Sequence, residues 1–169
     1  MSQVAIDLHK LLKHHVSRKT GVLLVAVGLI LGLSACEPSD RTPGFWLSGE
    51  VSDVPEDWSF TQDHREIFVE VSTPYFISHS VTIWCAALDG TLYIGARDPD
   101  SKNWPSWVDS APDIRLKIGD KLYDGRATPL DDEETITALR QVYAQKYELP
   151  PAYLSEPSST RYWRIEERG

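Results

Sequence analysis

The sequence predicts an α+β domain, a small six-stranded antiparallel β-barrel with one main helix. Short apolar segments alternate with turn residues from residue 44 onward, which is typical of barrels and sandwiches. Two tight turns, Asp89-Gly90 and Gly119-Asp120, are each flanked by strand-like segments. Residues 131–147 are the one long stretch with helical periodicity.

The strands are predicted from alternation and from apolar runs. Arg65–Thr73 is the clearest, because Ile67, Val69 and Val71 fall on one face at a period of two. The six strands are expected at residues 44–51, 65–73, 80–88, 91–97, 114–118 and 121–127. A final strand at 161–166 would follow the helix, and residues 104–110 would form a short helical turn.

The main helix has a start signal and a stop signal. Asp131 is expected to be its N-cap, with Glu134 three residues later as in a capping box. Pro150-Pro151 would end it. The acidic run Asp131–Glu134 resembles a metal site, but carboxylates at a helix N-terminus are explained by the helix dipole.

The first 36 residues have the order of a secretory signal. Residues 1–20 carry four basic residues and one acid, residues 21–33 are uncharged, and Leu33-Ser34-Ala35-Cys36 follows. That last tetrapeptide resembles the lipobox of bacterial lipoproteins, in which the Cys becomes the acylated N-terminus. A retained transmembrane helix would need about 20 apolar residues, more than this run provides.

These features predict three segments. Residues 1–35 would be a signal peptide, residues 36–43 a tether acylated at Cys36, for example by palmitate, and residues 44–169 the folded domain. The protein would then be a membrane-anchored lipoprotein of the cell envelope, facing the periplasm or the exterior. A tether of seven residues after the Cys reaches roughly 20 Å, so the domain would stay close to the membrane.

Charge and cysteine content exclude several classes of function. The chain has 17 basic and 25 acidic residues, of which four basic and one acidic residue lie in residues 1–20. The predicted domain with its tether therefore keeps 13 basic and 24 acidic residues. Such an acidic domain is a poor nucleic-acid binder. If Cys36 is acylated, Cys85 has no disulfide partner, and its apolar neighbours predict a buried, inert thiol. No Cys or His pair has metal-ligand spacing.

Several short motifs resemble the split β-barrel flavin-binding superfamily of pyridoxamine-phosphate oxidases and deazaflavin-dependent nitroreductases. The resemblance lies mainly between Ser80 and Glu134 and covers roughly half of the predicted domain. The motifs are Ser80–Trp84, Asp89–Ile94, Asp100–Trp104, Ala111–Leu116, Gly119–Tyr123 and Tyr162–Ile165. This resemblance implies a split barrel, a bound FMN or related flavin, and a homodimer, because the family builds its flavin site between two subunits.

The resemblance also implies which residues would hold the flavin. Ser101 and Lys102 would hold its phosphate, since a phosphate is bound by a cation and hydroxyl or backbone donors. Val81 and Thr82 would lie beside the isoalloxazine ring or the ribityl chain, and Trp104 would pack nearby.

The sequence departs from the family pattern at the phosphate site. Oxidase members usually have an Arg early in the strand that here begins Ser80-Val81-Thr82. Arg97 is the nearest candidate, and Asp98 follows it. Two functions therefore stay open: a membrane-tethered FMN-binding oxidoreductase-like protein, and a non-enzymatic envelope lipoprotein that binds a partner protein or a small apolar ligand.

Tryptophan is abundant, with six residues. Trp104 and Trp107 are three apart and would share one face of a helical turn. They would either line a pocket for a flat ligand or plug the end of a small barrel.

Overall fold

Eight strands and three helices make up the described part of the chain, residues 44–155 and 159–168 of a computed structural model. The strands are β1 (Glu50–Val51), β2 (Ile67–Ser72), β3 (Ser78–Ile83), β4 (Cys85–Leu88), β5 (Thr91–Arg97), β6 (Asp113–Ile118), β7 (Lys121–Pro129) and β8 (Thr160–Glu167). The helices are α1 (Trp104–Ser110), α2 (Glu133–Lys146) and α3 (Ala152–Ser155), with 3-10 turns at Ser59–Asp63 and Pro99–Ser101. The predicted signal peptide, Cys36 and the tether lie outside the described residues.

The strands form one sheet in the order β3-β2-β6-β7-β8-β5-β4, with antiparallel neighbours throughout, and β1 pairs with β7 in parallel. Its two outermost strands, β3 and β4, are separated in sequence by Trp84 alone. A flat sheet of seven strands would hold its edges about 29 Å apart. One residue cannot bridge that gap, so the sheet curls into a barrel that is open between β3 and β4. The predicted α+β class is confirmed.

Both predicted hairpins are confirmed. Leu88 pairs with Thr91 across Asp89-Gly90, and both turn residues have positive φ, 51° and 77°. This is the left-handed conformation that Asp-Gly turns adopt readily. Ile118 pairs with Lys121 across the second turn, where Gly119 has a φ of 60°.

The predicted strand over residues 80–88 is wrong in one respect, because the chain leaves the first strand at Trp84. The first half becomes β3 and pairs with β2, whereas the second half becomes β4 and pairs with β5. This division adds one strand, so the described part of the chain has eight strands where the sequence predicted six and a final one. A continuous apolar run does not reveal such a break, since both halves are partly buried.

The predicted strand at 44–51 shrinks to Glu50–Val51. The residues before it are bound to several strands in turn: the Gly44 carbonyl accepts from Ser80 N–H, and the Leu47 N–H donates to the Glu70 carboxylate. The N-cap of α2 is Asp132, whose carboxylate accepts from Thr135 N–H at 2.8 Å, and not the predicted Asp131.

Two hydrophobic clusters stabilise the domain. Alternation in β2 buries Ile67, Val69 and Val71 as predicted, and they join a cluster inside the barrel that includes Trp104 and Trp163. A second cluster lies between α2 and the strands, and its buried members are Ala86, Tyr93, Leu139, Tyr143, Tyr147 and Tyr162. Among the described residues, no helix has the length and apolar character needed to span a membrane.

Candidate functional site

A cavity of about 600 Å³ opens where the end of the barrel meets the C-terminal part of the chain. Strands β3, β5 and β8 supply one wall, and α2 with the segment after it supplies the other. Its lining residues are Glu66, Thr82, Ile83, Trp84, Gly95, Ala96, Arg97, Lys102, Trp104, Arg140, Tyr143, Leu149, Pro150, Ala152, Tyr153, Ser159, Thr160 and Tyr162. This volume is in the range of small-molecule and cofactor sites.

Aromatic rings dominate the walls. Trp84 lies at the break between β3 and β4, is 41% exposed, and stacks on Tyr147 with ring centres 4.1 Å apart. Trp104 begins α1 and is buried against Trp163, 5.3 Å away. Trp104 therefore both fills the barrel and lines the cavity, so the two interpretations of this residue are compatible. Trp107 contacts His79 instead, at 5.4 Å edge to face.

Gly95 lets β5 and β8 pack closely at the cavity. A Cβ at this position would lie only 3.0 Å from the Tyr162 ring. Any larger residue would therefore displace Tyr162, whose side chain lines the cavity and belongs to the helix-side cluster.

Charge at the cavity has the opposite sign from the charge of the chain. Arg97, Lys102 and Arg140 line it, and Glu66 is the one acidic residue among its described lining residues. The whole chain, by contrast, has 25 acidic and 17 basic residues. Asp98, just outside the lining, lies 3.8 Å from the Arg97 guanidinium and accepts from the Ser159 hydroxyl. An anionic ligand is therefore favoured, although Asp98 reduces the positive potential.

The loop that holds Lys102 is a tight turn after β5. Asp98 has a φ of 51°, and its carbonyl accepts from the Ser101 N–H and, at 2.7 Å, from the Ser101 hydroxyl. The Lys102 ammonium donates to the carbonyl of Arg97 and, at 3.5 Å, to that of Asp98. An ammonium has three donors, so the capacity for a further acceptor remains.

The structure brings three of the five predicted flavin residues to the cavity: Thr82, Lys102 and Trp104. Val81 is half-buried and packs against the barrel cluster, and the Ser101 hydroxyl bonds within its own turn. Neither of these two lines the cavity.

Sequence reasoning missed the wall formed by Arg140, Tyr143, Tyr153 and Tyr162. The one local signal was the i, i+3 spacing of Arg140 and Tyr143, which places both on one face of α2. Nothing local indicated that this face meets β5 and β8.

The phenols of Tyr143 and Tyr162 stay neutral. Burial raises the pKa of Tyr143 well above its ordinary value, and burial followed by the hydrogen bond with Tyr153 raises the pKa of Tyr162. No His or Cys occurs among the described lining residues. The described lining therefore contains no nucleophile–base pair of the Cys–His kind.

Cys85 is buried, as predicted, but it does have a cation beside it. The Lys146 ammonium, from α2, lies 3.5 Å from the Cys85 sulfur and donates to the Cys85 carbonyl at 2.8 Å. Burial outweighs this charge and raises the thiol pKa. Within the described residues, no group of three His, Cys, Asp or Glu side chains is arranged to hold a metal ion.

Comparisons show a likeness in fold without a likeness in sequence. No protein-family model matches the chain, and no curated protein sequence matches it. Rv2991 from Mycobacterium tuberculosis, a conserved hypothetical protein, has a TM-score of 0.54 at 15% identity, over 72% of this chain and 87% of its own.

Two further solved structures have similar scores. HutZ, the heme storage protein of Vibrio cholerae, has a TM-score of 0.54 at 9% identity, over 65% of this chain and 86% of its own. Campylobacter jejuni ChuZ has a TM-score of 0.53 at 8% identity, over 64% of this chain and 50% of its own. At such identities the likeness extends to the fold alone. Together with the strand order, it establishes that the domain has the split β-barrel fold implied by the sequence motifs.

Proposed function

We propose that this domain binds FMN or a related flavin nucleotide in the cavity beside α2. The protein would then be an oxidoreductase-like protein tethered to the cell-envelope membrane through Cys36. The observation that carries this proposal is the composition of the cavity, with aromatic walls and three cations against one carboxylate. A flavin nucleotide combines a flat aromatic ring with an anionic phosphate, so it matches both properties.

The cavity residues divide between the two parts of such a ligand. Arg97 ends β5, and Lys102, in the turn after it, donates to the Arg97 carbonyl; both would bind the phosphate through charge-assisted hydrogen bonds. Trp104 and Thr82 would pack along the apolar part. The flavin would supply the redox chemistry itself, and this chain would bind it, orient it and shield it from water.

Homodimer formation is part of the proposal. Its support is the sequence resemblance to a family that builds its flavin site between two subunits. The cavity is open on one side in the single chain, with Trp84 41% exposed at its border. A second subunit over that border would cover the indole.

Haem is a weaker candidate for the same cavity. HutZ shares the fold and is a heme storage protein. However, the described lining residues include no His, Cys or Met. The raised pKa values of Tyr143 and Tyr162 make their phenols poor anionic ligands. A flavin requires no such ligand.

A non-enzymatic binding role has its own supporting observation. The Lys102 ammonium already bonds to two carbonyls, and Asp98 lies beside Arg97. A phosphate would therefore meet an ammonium that has one donor left and a guanidinium that already has a carboxylate beside it. Under this alternative, the cavity would take a small apolar ligand, or its border would meet a partner protein.

Titration of the chain with FMN and with riboflavin separates these functions. Binding is followed by quenching of tryptophan fluorescence. A phosphate site requires FMN to bind more tightly than riboflavin. In Lys102→Ala this preference should fall by about tenfold, because one charge-assisted hydrogen bond contributes about 1.5–3 kcal/mol, reduced here by exposure.

Lys121→Ala is the matched control, since Lys121 is an exposed lysine at the start of β7 and is absent from the cavity. It should keep the FMN preference. Absence of quenching by both ligands up to about millimolar concentration, the weak end of specific binding, would contradict flavin binding and favour the non-enzymatic role. Equal affinity for FMN and riboflavin would contradict the phosphate role of Lys102.

A further inference from the structure

Five large apolar side chains near the start of the domain are exposed to solvent. Phe45, Trp46, Tyr75, Phe76 and Ile77, here called the aromatic rim, have exposed fractions between 53% and 101%. The first two precede β1, and the other three form the turn between β2 and β3.

The backbone brings these two segments together. The Gly44 carbonyl accepts from Ser80 N–H at 2.9 Å, and the Ser80 hydroxyl accepts from Gly44 N–H at 3.0 Å. Ser80 lies three residues after Ile77, roughly 10 Å along an extended strand. These hydrogen bonds place Phe45 beside β3, the strand that follows the turn holding Phe76.

Charge is absent from both segments. Residues 42–49 and 71–88 contain no Asp, Glu, Lys or Arg, in a chain with 25 acidic residues. A surface that meets bilayer headgroups must avoid carboxylates, because anionic lipids repel them and desolvation is costly. Trp, Tyr and Phe are the side chains that occupy the membrane–water interface.

The Phe76 ring is fully exposed, so its burial does not stabilise the fold. Its φ is 61°, a conformation that Gly or Asn adopts more readily than an aromatic residue. The turn is held by the Thr73 hydroxyl, which donates to the Ile77 carbonyl at 2.7 Å, and not by the Phe76 ring, which is fully exposed. The fully exposed Phe76 ring is therefore available for a contact outside the chain.

The position of the rim identifies the occupant. It begins one residue after Gly44, where the tether from Cys36 enters the domain, and that tether spans roughly 20 Å. We infer that the aromatic rim is a docking surface for the bilayer that carries the lipid anchor. The charge-free segments of the rim would rest on the headgroups and orient the barrel. This inference depends on the acylation of Cys36 in the proposed function.

The experiment uses the full chain, reconstituted into vesicles of phosphatidylethanolamine and phosphatidylglycerol. Phe76→Cys is labelled with a polarity-sensitive fluorophore; acylated Cys36 and buried Cys85 leave the introduced thiol as the reactive one. Leu154→Cys, at an exposed apolar position in α3, carries the same label as control. The label at 76 should emit at shorter wavelength and resist aqueous iodide, whereas the label at 154 should not.

A second variant tests the rim as a unit. Phe45→Ser combined with Trp46→Ser should return the label at position 76 toward water while the chain stays anchored. An acylated, vesicle-bound chain with equal iodide quenching at positions 76 and 154 overturns the docking surface and leaves the anchor intact. A chain that has no acyl group at Cys36 and stays in solution overturns both the docking surface and the lipid anchor. A blue shift without vesicles, with doubled mass, assigns the rim to a second copy and overturns membrane docking.

Discussion

The two hydrophobic clusters of this domain differ in chemistry. The cluster inside the barrel consists mainly of aliphatic side chains enclosed by strands. The cluster beneath α2 contains four buried tyrosines, and the hydroxyls of three of them, Tyr143, Tyr147 and Tyr162, each have a hydrogen-bond partner. Aliphatic packing is non-directional, whereas a buried hydroxyl requires a partner at a defined position.

This difference shows how the cavity acquires a defined shape. Helix α2 is attached to β4 by polar contacts: the Tyr147 hydroxyl accepts from Cys85 N–H at 2.9 Å and lies 2.8 Å from the Arg65 carbonyl. The Lys146 ammonium donates to the carbonyls of Thr61 and Cys85, both at 2.8 Å. The barrel interior therefore stabilises the fold, and the tyrosine cluster positions the helical wall of the site.

A matched pair of truncations should show the largest difference between the clusters. Leu116 in β6 and Leu139 in α2 are both fully buried. Leu116→Ala should lower the free energy of unfolding by about 4 kcal/mol, because strands on both sides prevent the cavity from collapsing. Leu139→Ala should cost about 2–3 kcal/mol, since the helix can shift. Urea denaturation measures both, and an equal or larger loss for Leu139→Ala would contradict the comparison.

Removal of one hydroxyl should test the polar attachment of the helix. Tyr147→Phe leaves the Cys85 N–H without the acceptor that it has in the structure, which should cost about 1–3 kcal/mol. Tyr75→Phe removes an equivalent hydroxyl from an exposed ring and should change stability very little. Thermal denaturation measures the stability of the two variants. Equal stability would mean that the buried hydroxyl does not fix the helix.

Local patterns predicted most of the fold. The alternation of Ile67, Val69 and Val71 and the two turns depend on neighbouring residues only, and the structure confirms them. The break at Trp84 could not be predicted in this way, because the run over 80–88 is apolar on both sides of it. The partner of each half is decided by barrel closure, which depends on strands far away in sequence.

The sequence indicated only part of the candidate site, because its other residues come together only through long-range contacts. Short motifs indicated Thr82, Lys102 and Trp104, which all line the cavity. Arg140 and Tyr162 come from a helix and a strand much later in the chain, and only the tertiary structure brings them to β5. The sequence cannot assign such residues to a wall until the strand order is known.

The start of α2 provides a smaller test, between two adjacent carboxylates. Asp132 accepts from Thr135 N–H, and that hydrogen bond lowers its pKa. Asp132→Ala should therefore reduce the thermal midpoint more than Asp131→Ala, which removes a charge near the helix but no cap. Differential scanning calorimetry at neutral pH compares them. The reverse order would restore Asp131, the residue predicted from the sequence, as the cap.

The smallest expected effect concerns an ion pair on the barrel wall, outside both clusters. Arg115 donates to Asp124 through Nε at 2.7 Å and Nη2 at 3.0 Å, and this hydrogen bonding lowers the pKa of Asp124. Because the folded pKa lies below the unfolded value of about 3.9, the stabilisation is complete above that value and is lost as the pH falls through the folded pKa.

Asp124→Asn should therefore cost less than about 1 kcal/mol at pH 7, since both side chains are about one-third exposed and solvent screens the pair. The cost should be smaller at about pH 3, below the unfolded pKa of about 3.9, because the stabilisation is lost as the pH falls toward the folded pKa. Urea denaturation of both proteins at the two pH values measures the difference. A cost that is the same at both would mean that Asp124 contributes through packing and not through its charge.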